Sequence, residues 1–193
     1  TITGLLSLIP GTYSDKLNKY DCDGNVDFKL TINGVYSEKS TPTILAEFGA
    51  SNASMKPNGG EYALKQISFK GYYKNKISAA KPYDQLIINN FSAQLENQPI
   101  QANFTIEDFN NPNVNIYTKA TLNLEIVSQF YKPDTIESMS GTFTIDGKIA
   151  GRVKEKTSWT SEGSLSLNAV NFKLKQKEIA FTNFNGNIVL TQN

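Results

Sequence analysis

Apolar and polar residues alternate with a period of two over most of this 193-residue chain, and that alternation constrains its fold more than any other feature. Successive side chains of a β-strand point to opposite faces, so a period of two describes a strand with one apolar side. In "GNVDFKLTING" the apolar set is Val26, Phe28, Leu30 and Ile32; in "TILAEFG" it is Ile44, Ala46 and Phe48; in "QISFKGYYKN" it is Ile67, Phe69 and Tyr73. Ile87, Phe91 and Leu95 follow, then Ile100, Ala102, Phe104 and Ile106. Farther along come Phe143 with Ile145, Leu165 with Leu167, Phe172 with Leu174, and Ile188 with Leu190. Turn-forming clusters punctuate these runs at Pro57-Asn58-Gly59-Gly60, Asn97-Gln98-Pro99, Asn110-Asn111-Pro112-Asn113 and Asp146-Gly147. Roughly ten short antiparallel strands are predicted, each apolar on one side only.

Two segments depart from this period. "TITGLLSLIP" is apolar and closed by Pro10, and Thr12 and Asp15 have capping-box spacing ahead of Tyr13, Leu17 and Tyr20, so residues 3–20 are predicted to hold one or two short helices. In "NLEIVSQFYKPD", Leu122, Ile126 and Phe130 recur every four residues and Pro133 ends the run, predicting a helical interruption over about 121–131. Between them the sheet is expected from about residue 24 on. A faint internal repeat is also present: Asn90-Phe91, Ile100 and Asn103-Phe104 match Asn171-Phe172, Ile179 and Asn183-Phe184. Repeated use of one hairpin is its simplest physical reading.

At 193 residues with 39% hydrophobic content the chain has the material for a single large domain with a core. Lys and Arg number 19 against 18 Asp and Glu, for a net charge of +1, and Arg152 is the one arginine. Nucleic-acid binders gather basic residues on one face, so nucleic acid is not expected as a partner. There is no histidine. Ser-His-Asp and Cys-His catalysis and histidine metal sites are thereby excluded, and no phosphate-binding or nucleophile-elbow motif occurs. "DCDGNVD" sets Asp21, Asp23, Asn25 and Asp27 at alternate positions, but Val26 and Ile32 stand where a calcium loop needs Gly and Glu, so no metal is expected there. Glu107 and Asp108 are adjacent strand residues pointing apart, which is useless for paired-carboxylate chemistry. Cys22 is the one cysteine and reads as a half-buried thiol. Neither catalysis nor a cofactor is expected.

A one-sided apolar strand must cover its face. A second sheet does so in a closed β-sandwich; alternatively, one sheet curls into a trough whose lining is covered by something foreign to the chain. Periodicity alone does not separate these.

A set of motifs follows one another in a fixed order: a Gly-initiated strand at Gly24, a G-x-x-S turn at Gly34 to Ser37 and a strand with Pro42, Ile44 and Phe48. Then come the Phe-x-Ile-x-Asp-Phe-x-x-Pro run from Phe104 to Pro112, a helix start near Leu122 and the closing stretch "GSLSLNAVNFKLKQKEIAFTNFNGNIVL". This order resembles the AsmA family of large Bacteroidota envelope proteins. The resemblance implies a mainly β fold over 1–193 as a single region: a curved antiparallel sheet forming a groove, like TamB and the bridge-like lipid transfer proteins. It implies a fragment of a longer periplasmic protein, held to the inner membrane by an anchor outside this fragment, with phospholipid acyl chains as the groove's partner. The lining would then comprise Val26, Phe28, Leu30, Ile32, Ile44, Phe48, Ile67, Phe69, Phe91, Ile100, Phe104, Ile106, Phe143, Ile145, Leu165, Leu167, Ile188 and Leu190. The competing expectation is a structural or adhesive β-domain of an envelope or surface protein.

Overall fold

The structure, a computed structural model, describes residues 18–37, 40–78, 80–175 and 179–191. These form one antiparallel sheet of nine strands in strict chain order: β1 (Tyr20–Asn33), β2 (Thr43–Pro57), β3 (Leu64–Lys74), β4 (Gln85–Leu95), β5 (Gln98–Glu107), β6 (Asn113–Asn123), β7 (Ile136–Arg152), β8 (Thr160–Leu174) and β9 (Ala180–Leu190). Each strand pairs with its neighbours in sequence, as short connections and one-sided patterning favour. β9 does not pair back to β1, so the sheet is open. The closed sandwich does not form. The strands run from 10 to 17 residues, against about 5 to 6 in ordinary globular proteins; they are long, not short as the sequence suggested.

One α-helix, α1 (Leu124–Phe130), interrupts the meander between β6 and β7. Asn123 caps it, its Oδ1 accepting from the backbone N–H of Glu125 at 2.9 Å and of Ile126 at 3.4 Å. It is shorter than the expected 121–131, because Leu122 completes β6 opposite Phe143 and is more useful there as an apolar strand residue. The helix expected within 3–20 falls mostly outside the described residues; Tyr20 already opens β1.

The position of α1 reveals the curvature of the sheet. Five strand spacings, about 24 Å, would separate β6 from β1 if the sheet were flat, and a seven-residue helix is only about 10 Å long. Yet the Tyr20 hydroxyl donates to the Phe130 carbonyl at 2.8 Å, and the Gln129 Oε1 accepts from the Glu61 N–H at 3.1 Å. The first six strands therefore curl towards each other, and α1 lies across the hollow at one end.

Bulges supply the bend. Asn52, Gln66, Asn90, Ala169 and Asn183 all have φ near +50°, and each marks an extra residue in the pairing of its strand. An extra residue sharpens local twist and flips which residues face inward beyond it. The N–H at four of these bulges is held by a side-chain oxygen on a neighbouring strand: Asn52 by Ser68 (3.3 Å), and Asn90 by Asn103, Ala169 by Asn185 and Asn183 by Asn171 (each 2.8 Å). This explains the repeat in the sequence. Each Asn-Phe pair is either a bulge or the acceptor that steadies one, and the Phe that follows points inward.

Two expectations are corrected by this row. Ile87 does not share a face with Phe91: the bulge at Asn90 brings Leu86 and Ile88 onto that face and sends Ile87 to the other. Asp146-Gly147 is not a turn but the middle of β7, where it continues the ladder to Ser164 and Gly163.

Candidate functional site: an apolar groove

Cross-strand partners point to the same side of a sheet, so the register defines the face. One row runs Phe28, Phe48, Gly71, Ile88, Phe104, Ile116, Ile149 across seven strands. Another runs Ala93, Ile100, Ala120, Ile145, Leu165, Ile188 across β4 to β9. Val26 joins Ala50 and Phe69; Leu30 joins Ala46 and Tyr73; Ile32 joins Ile44. Phe91 pairs with Ala102, Ile106 with Val114, Phe143 with Leu167, and Leu190 with Gly163. Ile67 pairs with Ala53 on the same face. All eighteen residues expected to line a groove therefore lie on one face, the concave one.

The sequence reading missed others on this face, Met55, Leu64, Leu86, Ile88, Val114, Ile116, Leu122, Ile149, Val170, Phe181 and Phe184, and it read Phe172 as an apolar strand residue without placing it in the groove. For β4, β8 and β9 the signal was present in the Asn-Phe and Ala-Val pairs that mark the bulges. Strict counting by two ignores it.

The groove has a small-residue floor and large-residue walls. Ala53 and Ala93 are each 3% exposed and Ala120 4%. Towards the open edges, Phe28 is 51% exposed, Ile32 60% and Phe184 51%. Between these, Phe91 and Phe104 are half-buried. Phe48, Phe69 and Phe91 form an aromatic run over β2 to β4, with successive ring centroids 6.3 Å apart, and Phe172 stacks on Phe181 at 4.5 Å. At the end covered by α1, Met55, Leu64, Leu95, Ile100, Leu122, Val127 and Phe130 enclose an apolar recess of about 240 Å³. A second recess, of about 230 Å³, lies among Ile116, Phe143, Ile145, Ile149, Leu165 and Leu190.

The opposite face is polar, and its ionisable groups interact with one another away from the groove. Lys119 and Asp146 approach to 2.7 Å and the Tyr117 hydroxyl donates to Asp146 at 3.1 Å; these two hydrogen bonds hold the Asp146 carboxyl below the usual carboxylate range. Asp21, Asp23, Asn25 and Asp27 line the same polar face of β1, each opposite a β2 residue. Among the described residues no group of three or more acidic or cysteine side chains converges on a point that could hold a metal. Burial, then Asp21, pushes the Cys22 thiol up, which favours the weakly nucleophilic protonated form. At the groove's rim, burial and then the Asp84 carboxylate raise the Tyr73 phenol. Chemically, the concave face offers hydrocarbon contact and little else.

No family model matches the chain, and neither curated proteins nor solved structures show a detectable similarity to it.

Proposed function

We propose that this chain is a non-enzymatic, AsmA-like segment of a periplasmic envelope protein, and that its groove carries phospholipid acyl chains between the inner and outer membranes. The observation that supports this reading is the apolar face that the described residues leave uncovered. Eight hydrophobic residues are buried among those described, while Phe28, Leu30, Ile32, Phe181, Phe184 and Ile188 stay 40% exposed or more. These lie on the two edge strands, β1 and β9, and the half-buried apolar rows between them join them into one face, whose extent supports an interaction site. Removing a sixteen-carbon chain from water is worth on the order of 10 kcal/mol at ~0.8 kcal/mol per CH₂. A continuous trough supplies that, and an isolated patch does not. In the full-length protein, an inner-membrane anchor outside these residues would place the groove in the periplasm and serve outer-membrane biogenesis.

The decisive variant is Phe104→Asp. Phe104 sits mid-sheet between Ile88 and Ile116 and is half-buried. While the groove is empty, water still reaches a carboxylate there; an acyl chain would strip that water at a cost of several kcal/mol. The folded variant is expected to keep its β-sheet circular dichroism and melting temperature, yet lose binding and transfer of a fluorescent phospholipid between vesicles. A folded variant that transfers lipid like the parent overturns the proposal. A structural or adhesive β-domain then becomes the better account.

A further inference from the structure

We propose that the two apolar recesses of the groove form one site for a single acyl chain of about sixteen to eighteen carbons, its methyl end beneath α1. The inference rests on the lipid reading above and adds to it the length and direction of the chain. An apolar cavity of about 150 Å³ takes the six carbons of benzene. At that ratio the recesses, of about 240 and 230 Å³, each hold about nine carbons. They are also neighbours. Leu122, in the first, lies directly opposite Phe143, in the second. Beside that pair, Ala120 is flanked by Ile100 of the first recess and Ile145 of the second. Its methyl group stands lower than either isoleucine, so the floor stays low where a chain crosses from β5 to β7, and every residue along the way is apolar.

The direction follows from what lies at the two ends. The recess beneath α1 is lined by seven apolar residues and no polar one. The second recess is also lined by Thr118 and Ser161, which share the concave face because they pair with Ala102 and Ile149. An ester or carboxyl group taken out of water is unfavourable unless it finds a hydrogen-bond partner. The oxygen-bearing end of the chain therefore belongs beside these two hydroxyls, and the methyl end fills the recess that α1 covers.

Both features are open to measurement on the purified chain. Saturated fatty acids of ten to twenty carbons, displacing a fluorescent fatty acid, should bind more tightly with each added carbon up to sixteen or eighteen and no more tightly beyond. Val127→Phe places a ring in the recess beneath α1 and should shorten that optimum by about two to four carbons, with the β-sheet spectrum unchanged. Direction is read without any substitution. Trp159, the one tryptophan, lies against Gly151, just beyond Ile149 and Ser161 and about 27 Å along β7 from Phe143 at ~3.4 Å per residue. A nitroxide at carbon five of stearic acid should quench Trp159 at least threefold more, per molecule bound, than one at carbon sixteen. Equal quenching from the two labels, affinity that ignores chain length, or a folded variant with the parent's optimum overturns the inference and leaves the lipid reading standing. A parent that binds no fatty acid of any length overturns both.

Discussion

Ala169 sits at φ +49°, where a side chain clashes with its own backbone, and the fold tolerates this because the bulge is held from outside. The left-handed region costs about 1–2 kcal/mol for a residue with a Cβ, less for Asn, whose short amide bonds locally. Evolution has placed Asn at three of the five bulges of this row, Gln at one, and Ala at this one. Ala169→Gly is therefore expected to raise stability by on the order of 0.5–1 kcal/mol, the relief of strain outweighing the extra freedom of the unfolded chain. Chemical denaturation with an unchanged m-value checks it; a loss of stability would mean that the strain is not real. Asn90-Phe91 and Asn183-Phe184 were visible in the sequence as a repeat, but their meaning was not, because a bulge is defined by the strand opposite.

At the scale of elements, α1 is held by few interactions. Seven residues are too short to be helical alone, so Asn123, the burial of Ile126 at 4% exposure and the contacts to Tyr20 and Glu61 must supply its stability. Asn123→Ala leaves the N–H groups of Glu125 and Ile126 without their acceptor and is expected to cost about 1 kcal/mol. The effect should appear first as faster hydrogen exchange in 124–130 and only weakly in the strands; uniform loosening of the whole sheet would contradict it. The helix was legible from its four-residue spacing and Pro133. Its start was not, since Leu122 fits a helix face and a strand face equally well and only pairing with Phe143 decides.

Taken whole, the described residues form a sheet whose inner surface they leave uncovered. Walls of half-exposed Phe, Leu and Ile beside a floor of buried Ala make that surface accessible in the folded state. Native protein is therefore expected to bind an apolar dye such as ANS strongly while retaining a sharp, cooperative thermal transition, a combination that a molten globule lacks. Phospholipid should compete the dye away. Dye binding that rises only as the protein unfolds would show that the face is covered in solution.

From the sequence alone came the strand character, the antiparallel pairing and part of the membership of the apolar face. A period of two is a local property, and Val26, Phe28, Leu30 and Ile32 need only their own strand to share a side. Whether that side is covered is not local. It depends on how the sheet bends, and here extra residues sit in two groups, Asn52, Gln66 and Asn90 on β2 to β4 and Ala169 and Asn183 on β8 and β9. Tertiary pairing moved Leu86 and Ile88 inward in place of Ile87, laid α1 across one end and left β9 without a neighbour among the described residues. The same alternation could have filled a sandwich; register and curvature made it a groove, because facing rows can cover one another only when a second sheet, or the same sheet closed on itself, comes opposite.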